Sequence, residues 1–476
     1  MISDIHTFIT SLNYDPRRVL VRKDGDDVLL PEPKTTEKGA DSVVICTHEK
    51  VSAHGNFSEN IIMGPSSGTT WPGALLRADD EFAHGNIATI QVPRGPITST
   101  HLSIDLPGME DYEMPDIESP SQPTVQNAIG RAVNWWLENK HAEGYRNRVR
   151  VSSSTSVAHS SEQLAIDLGI NLKSVNASVA AQLKVSNSSD RKVSVMLFRQ
   201  VYYSAYFQPP SDLAGVFAGS ITTDTLWRHV VEDKPPVYIS RVDYGRMIMF
   251  RLETSATTTD TDAQFALEYA LGTTSTETNA EARYKKVTEN SSMSVIAIGG
   301  NAEATVKSID ASNVEEIRAV ATDPRHVELT KANPALPIAY VTNFLKDNAL
   351  TRIGVTTDYV QRTCVRYEHG FVRFVHSGTY VAKFAVSWSE DGEKKSWESG
   401  KTTAGYSHTL NLPGNAKNVS IEAHAATGLV WQPWGEVFSL RLPGPTSRTY
   451  TARGTTLGRR YTVSEPESLS GTATAA

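Results

Sequence analysis

Cysteine is nearly absent from this 476-residue chain: Cys46 and Cys364 are its only two. Two thiols so far apart make neither a disulfide framework nor a CxxC metal site. An excess of positive charge is missing as well. With 46 Lys and Arg against 53 Asp and Glu, the formal net charge is −7, which argues against a nucleic-acid binder and against simple capture by anionic lipid. No apolar run approaches the roughly 18 residues of a membrane-spanning helix, so any crossing of a bilayer must use strands. The opening MISDIHTFIT lacks a basic region followed by an apolar core, and no Sec signal peptide is expected. Signatures of catalysis are also scarce. There is no HExxH, GPSSGTT (64–70) lacks the lysine of a Walker A loop, and the 13 histidines show no ligand spacing. No enzyme, metal or cofactor is expected.

What the chain does have is length and pattern. Its 39% hydrophobic and 21% charged residues describe an ordinary globular protein of two to four domains. Alternating segments at 192–207, 236–254 and 294–300 predict strands, two of them long. The spacing of Ile129, Val133, Trp136 and Leu137 predicts a helix over 125–140. Pro/Gly-rich or polar stretches near 31–41, 111–124, 208–212 and 233–236 read as connections. From about Thr363 onward, short strands separated by turn residues predict a β-sandwich, and the small polar tail SEPESLSGTATAA predicts disorder.

The most informative stretch is LAIDLGINLKSVNASVAAQLKV, 164–185. Leu164, Ile166, Leu168, Ile170 and Leu172 alternate with small or polar residues, and Val175, Ala177, Val179, Ala181 and Leu183 resume the alternation on the other parity. A hairpin turning at Lys173-Ser174 pairs each apolar residue with an apolar partner on one side of the ribbon. Each arm is about ten residues, the length of a tilted transmembrane strand. The same residues also satisfy a helix, because Leu164, Leu168, Leu172, Val175, Val179 and Leu183 form one stripe. FALEYALGT (265–273) alternates similarly, with a weaker partner arm at 280–290. An open hairpin leaves edge N–H and C=O groups unpaired in hydrocarbon, and four strands cannot close a barrel that needs about eight. If these segments insert, many copies must insert together.

AATGLVWQPWG (425–435) poses a different question, since it places Trp431 and Trp434 in a stretch that Gly428, Pro433 and Gly435 mark as an irregular loop. Tryptophan is enriched where apolar and wet media meet. Large aromatics ordinarily belong to a core, and the alternative for a loop of this kind is a membrane probe.

With these residues in view, the chain resembles the cholesterol-dependent, or thiol-activated, cytolysins. The matching motifs include PGALLRAD (72–79), IDLPGM (104–109), FRQVYY (198–203), VDYGRMIMFRLETS (242–255), LPIAYVTNFLKDN (336–348), HSGTYVAKFAVSW (376–388), ATGLVWQPW (426–434) and RGTTLG (453–458). The resemblance implies an elongated α+β architecture of the MACPF/CDC type: a central twisted antiparallel sheet flanked by helical bundles, with a C-terminal β-sandwich. It implies a discontinuous first domain (1–16, 50–150, 200–247, 322–345) and an elongated β linker (17–49, 346–362). The pore-forming domain would be 151–199 with 248–321, the membrane-binding sandwich 363–463 and the tail 464–476. Helix-to-hairpin conversion would fall at about 162–189 and 262–291, and Gly299-Gly300 match the family's hinge glycines.

The resemblance further implies Thr456 and Leu457 as the sterol-recognition pair, with Leu429, Trp431, Trp434, Thr379 and Ala404 (beside Gly405) as membrane contacts. Departures are visible. Ala426 stands where the family has its Cys, Pro433 replaces the middle Trp, and Gly435 replaces an Arg. The function implied is a released toxin that binds cholesterol or a related sterol as a soluble monomer or dimer, assembles a large homo-oligomeric ring and inserts a β-barrel into the target-cell membrane. The alternatives are a non-lytic sterol or receptor binder, and a pore former that needs another receptor or partner.

Overall fold

In the computed structural model the chain divides into two compact units, residues 1–30 with 49–361 and residues 31–48 with 362–476. The structure describes residues 2–464 apart from 16, 18–19, 26, 40, 64–68, 86, 173–174, 186–190, 231–232, 273–278, 290, 300–305, 324–326, 428, 430 and 432. The Lys173-Ser174 turn, Gly300 and nearly all of the expected disordered tail lie outside the described residues.

The spine of the first unit is the 20-residue strand Pro236–Ser255. It pairs antiparallel with Arg191–Phe207, which in turn pairs with Arg150–Ala158. On its other side lies Ser292–Gly299, edged by Val306–Ile309. Leu336–Phe344 continues that side toward the start of the spine. The long strands are buried almost throughout, because helices cover both faces of the sheet. One parity, Met196, Phe198, Ile248, Phe250 and Leu252, packs with Phe265, Leu267 and Tyr284. The other, Val193, Val195, Leu197, Met247 and Met249, packs with Leu164, Leu168, Val179 and Leu183. A register shift between Val201 and Tyr203 interrupts the pairing of the two longest strands.

A separate core forms around helix Gln122–Glu138, whose start is fixed by a capping box between Ser121 and Thr124. Ile129, Val133 and Trp136 are buried as the spacing predicts. The helix begins three residues earlier than predicted because Pro123 is tolerated in a first turn, so the 111–124 connection ends sooner.

The second unit is a sandwich of two four-stranded sheets. One orders Ser407–Leu412, Gly370–His376, Arg448–Gly454 and Arg459–Val463; the other orders Glu393–Glu398, Ala382–Glu390, Lys417–Ala426 and Trp434–Leu442. Phe374, Phe384, Val386, Ile421, Phe438 and Tyr450 fill the space between them. The stretch 31–41 is not merely a connection, since Lys34–Lys38 pairs with residues 43–47. That strand is exposed on nearly every residue, which removes the alternation by which a strand is read. Cys46 and Cys364, separated by 318 residues, are bonded to each other. The bond is a single staple rather than a framework.

Candidate functional site

Two sets of residues carry the expected chemistry, one in each unit. In the first unit, the two-period segment is present as two short helices, Ser161–Leu168 and Ala177–Leu183. Ser160 and Gln163 form a capping box at the start, and Gly169 ends the first helix in the left-handed conformation at φ 70°. Asn176 caps the second, accepting a hydrogen bond from the Val179 N–H. Leu164, Ile166, Leu168, Ile170, Val179 and Leu183 are buried, while Leu172 and Val175 are partly so. The apolar stripe therefore faces the sheet, as a helix requires, and the segment's alternation goes unused in this state.

The other segment lies on the opposite face as helices Asp260–Ala270 and Ala280–Thr288. Lys192, itself buried, reaches the Asp260 carboxylate at 2.5 Å, and His159 Nε2 lies 3.4 Å from the same group. Hydrogen bonding from His159, followed by that from Lys192, holds the Asp260 carboxyl down at about 2. Arg283 pairs with Asp262 at 2.8 Å, and its guanidinium sits 4.1 Å from the Phe265 ring centre.

Gly299 closes strand Ser292–Gly299 with φ 87°, and a Cβ there would sit 2.6 Å from the Gly245 carbonyl oxygen. Only glycine fits both the rotation and the space. Its neighbouring edge is the short strand Val306–Ile309, four residues long.

In the second unit, hydrogen bonds gather four connections at one end of the sandwich. Thr379 N–H donates to the Gly454 carbonyl at 2.9 Å, Gly405 N–H to His376 at 2.8 Å and Ala426 N–H to Val381 at 2.8 Å. Thr456 and Leu457 occupy a tight turn closed by mutual hydrogen bonds between Thr455 and Gly458, which leaves Leu457 100% exposed. The tryptophan loop is pinched at its base by Thr427 N–H donating to Pro433 at 3.1 Å. Beyond that pinch Trp431 is 81% exposed and Leu429 42%. Ala404 is exposed on a neighbouring turn.

Trp434 stands apart from Trp431. It opens a strand opposite Ala426, is half-buried, and lies under the Lys383 ammonium at 4.4 Å. Lys383 and the arginine at 459, whose guanidinium lies against Gly435, were not foreseen from the sequence. Both meet the loop across strands, and nothing local in the chain marks such neighbours.

No described helix is long and apolar enough to cross a membrane, a fact that says nothing of strands. Comparison with known proteins covers both units of the chain. A family model described as thiol-activated cytolysin matches residues 4–367, and one described as thiol-activated cytolysin beta sandwich domain matches 371–460. Tetanolysin of Clostridium tetani is 30% identical over 468 residues, covering 96% of this chain and 86% of its own. The crystal structure of listeriolysin O superposes with a TM-score of 0.85 at 28% identity, covering 97% of this chain and 96% of that one. A non-hemolytic pneumolysin from Streptococcus pneumoniae superposes with a TM-score of 0.82 at 26% identity, covering 97% and 99%.

Proposed function

The chain belongs to the thiol-activated cytolysin family, and from that premise we propose that it is a pore-forming toxin directed at sterol-containing membranes. The observation that carries this reading is the segment 164–183. Its residues pack on the sheet as helices, yet Leu164, Ile166, Leu168, Ile170 and Leu172 also alternate as a lipid-facing strand would. A protein that only bound membranes has no use for the second pattern.

The soluble chain first touches the bilayer through Trp431 and Leu429, with Trp434 held closer to the sandwich. Burying one Trp side chain, about 150–250 Å² at ~25 cal/mol/Å², supplies an upper bound of about 4–6 kcal/mol. Leu457 lies against the sterol rings while the Thr456 hydroxyl bonds the sterol 3-OH, and Thr379 and Ala404 settle among headgroups. Copies then assemble into a ring in the target-cell membrane, Gly299 and Gly300 allowing the short edge strand to swing aside so that sheets pair. Residues of about 162–189 and 262–291 unfold from opposite faces and extend the central strands into a shared barrel. Closure of that barrel by many copies satisfies every backbone group in hydrocarbon.

A non-lytic binder is the second reading, favoured by one observation: a relative with the same fold is described as non-hemolytic. Dye release from liposomes prepared with and without cholesterol separates the two. Release confined to cholesterol-containing vesicles is the expected result. Cholesterol-dependent sedimentation without release would establish the binder, and no interaction with either vesicle would overturn the sterol reading.

A further inference from the structure

We infer that Arg459 is a positioning residue that couples the Trp431 loop to the Thr456–Leu457 turn, with Gly435 as the seat for its guanidinium. Strand Arg459–Val463 is the edge of one sheet of the sandwich, and Trp434–Leu442 is the edge of the other. The Arg459 side chain crosses between them. Its Nε donates to the Thr456 carbonyl oxygen at 3.2 Å, and its Nη1 donates to the Glu436 carbonyl oxygen at 3.4 Å. One planar cation thus holds the sterol-contact turn and the outgoing end of the tryptophan loop together.

Position 435 makes this possible. Gly435 is buried, and a Cβ built on it would lie 2.0 Å from Arg459 Nη1 and 2.9 Å from Cζ. Its backbone is not left-handed, so the guanidinium and a side chain at 435 compete for the same space with no backbone strain involved. Any side chain there displaces the guanidinium. Further from the tip, the Phe438 and Tyr461 rings meet at 4.9 Å and continue the contact between the same two edge strands. Among the described residues Arg459 forms no ion pair, so its charge is directed at one carbonyl of the sterol-contact turn and one of the strand that leaves the tryptophan loop. A guanidinium is suited to this role because its donors are fixed in one plane, and moving one acceptor disturbs the bond to the other. Such bonds strengthen as the loops leave water for the headgroup region, where the dielectric is lower.

The inference rests on the membrane-contact reading above and adds that the two loops respond as one. The test measures partition of the full chain onto cholesterol-containing vesicles for Trp431→Ala, Leu457→Ala and the double variant, each with Arg459 intact and with Arg459→Met. With Arg459 intact, the double variant should bind about fivefold better than the product of the single losses predicts; with Arg459→Met the losses should multiply to within about twofold. Equal non-additivity in both backgrounds would overturn the inference. Gly435→Ala, which displaces the guanidinium and leaves Arg459 in the chain, should abolish the coupling as Arg459→Met does. If the unaltered chain does not partition at all, the membrane reading fails, and the coupling is read in solution by hydrogen exchange. There Arg459→Met should accelerate exchange at the Thr427 and Gly458 amides together, about fivefold or more. Acceleration at one alone, or at neither, would contradict it.

Discussion

The helical segments on the two faces of the central sheet are fastened in different ways. The first, 161–183, is held by aliphatic packing and by uncharged or singly charged hydrogen bonds. Gln163 Nε2 donates to Ser156 at 3.0 Å, Ser156 donates to Asp167 at 2.6 Å, and Ser294 donates to Gln182 at 2.7 Å. No ion pair anchors it among the described residues. The second, 260–288, carries ionic clasps at Asp260 and Asp262, and Arg318 caps its first helix through the Tyr269 and Ala270 carbonyls at 2.9 and 3.1 Å. The difference teaches that two segments with one proposed fate can be released by different conditions. Loss of apolar contact frees the first, whereas neutralising charge loosens the second.

The largest effect expected from this comparison is on the first segment. Leu168→Ala removes a buried side chain from the sheet-facing stripe and should destabilise the first unit by about 2–5 kcal/mol in urea unfolding. That loss should be the same at low and high salt. Lys192→Met breaks the clasp on Asp260; because the Asp260 side chain is 39% exposed, a loss of about 1–2 kcal/mol is expected rather than that of a fully buried pair. Hydrogen exchange should then quicken in 260–270 and not in 161–168.

Acid should act on the same side. The Asp260 carboxyl is held down at about 2, so its clasp contributes fully above the ordinary carboxylate pKa of about 4 and is lost as pH falls toward 2. Exchange protection in 260–270 should fall through that window in the unaltered chain, and in Asp260→Asn it should already be reduced at neutral pH. The smallest effect is expected from Arg283→Met. It removes the pair with Asp262 and the contact over Phe265 for about 0.5–1 kcal/mol, measured by the same unfolding curve.

Much of this was legible in the sequence, for reasons that can be named. The strands at 191–207 and 236–255 are long runs rich in β-branched and aromatic residues, and their existence was plain. Which residue faces which bundle was not, because both faces are buried and alternation in polarity disappears. The 164–183 stretch showed both of its periods, but only packing decides between them, and the sheet-facing stripe selects the helix. Glu393–Glu398 in the sandwich and Lys34–Lys38 outside it carry no readable alternation, because their residues are mostly exposed. The tryptophan loop declared itself through its glycines and proline. The burial of Trp434 beneath Lys383, the seat of Arg459 on Gly435 and the Cys46–Cys364 bond all depend on neighbours brought in by register or topology. A single chain read end to end holds no local trace of them.

The central claim is that residues 164–183 leave a helical packing for a membrane-spanning hairpin. The direct test places single cysteines in turn from 164 to 172 and from 175 to 183 and attaches a polarity-sensitive dye, the two native cysteines being bonded to each other. Emission is compared before and after addition of cholesterol-containing vesicles. The account predicts that once vesicles are added, positions 164, 166, 168, 170 and 172 report an apolar medium and 165, 167, 169 and 171 report water, a period of two, with Ala165 leaving the buried place it holds in the helix. A response at every third or fourth position, or none on adding vesicles, would contradict it.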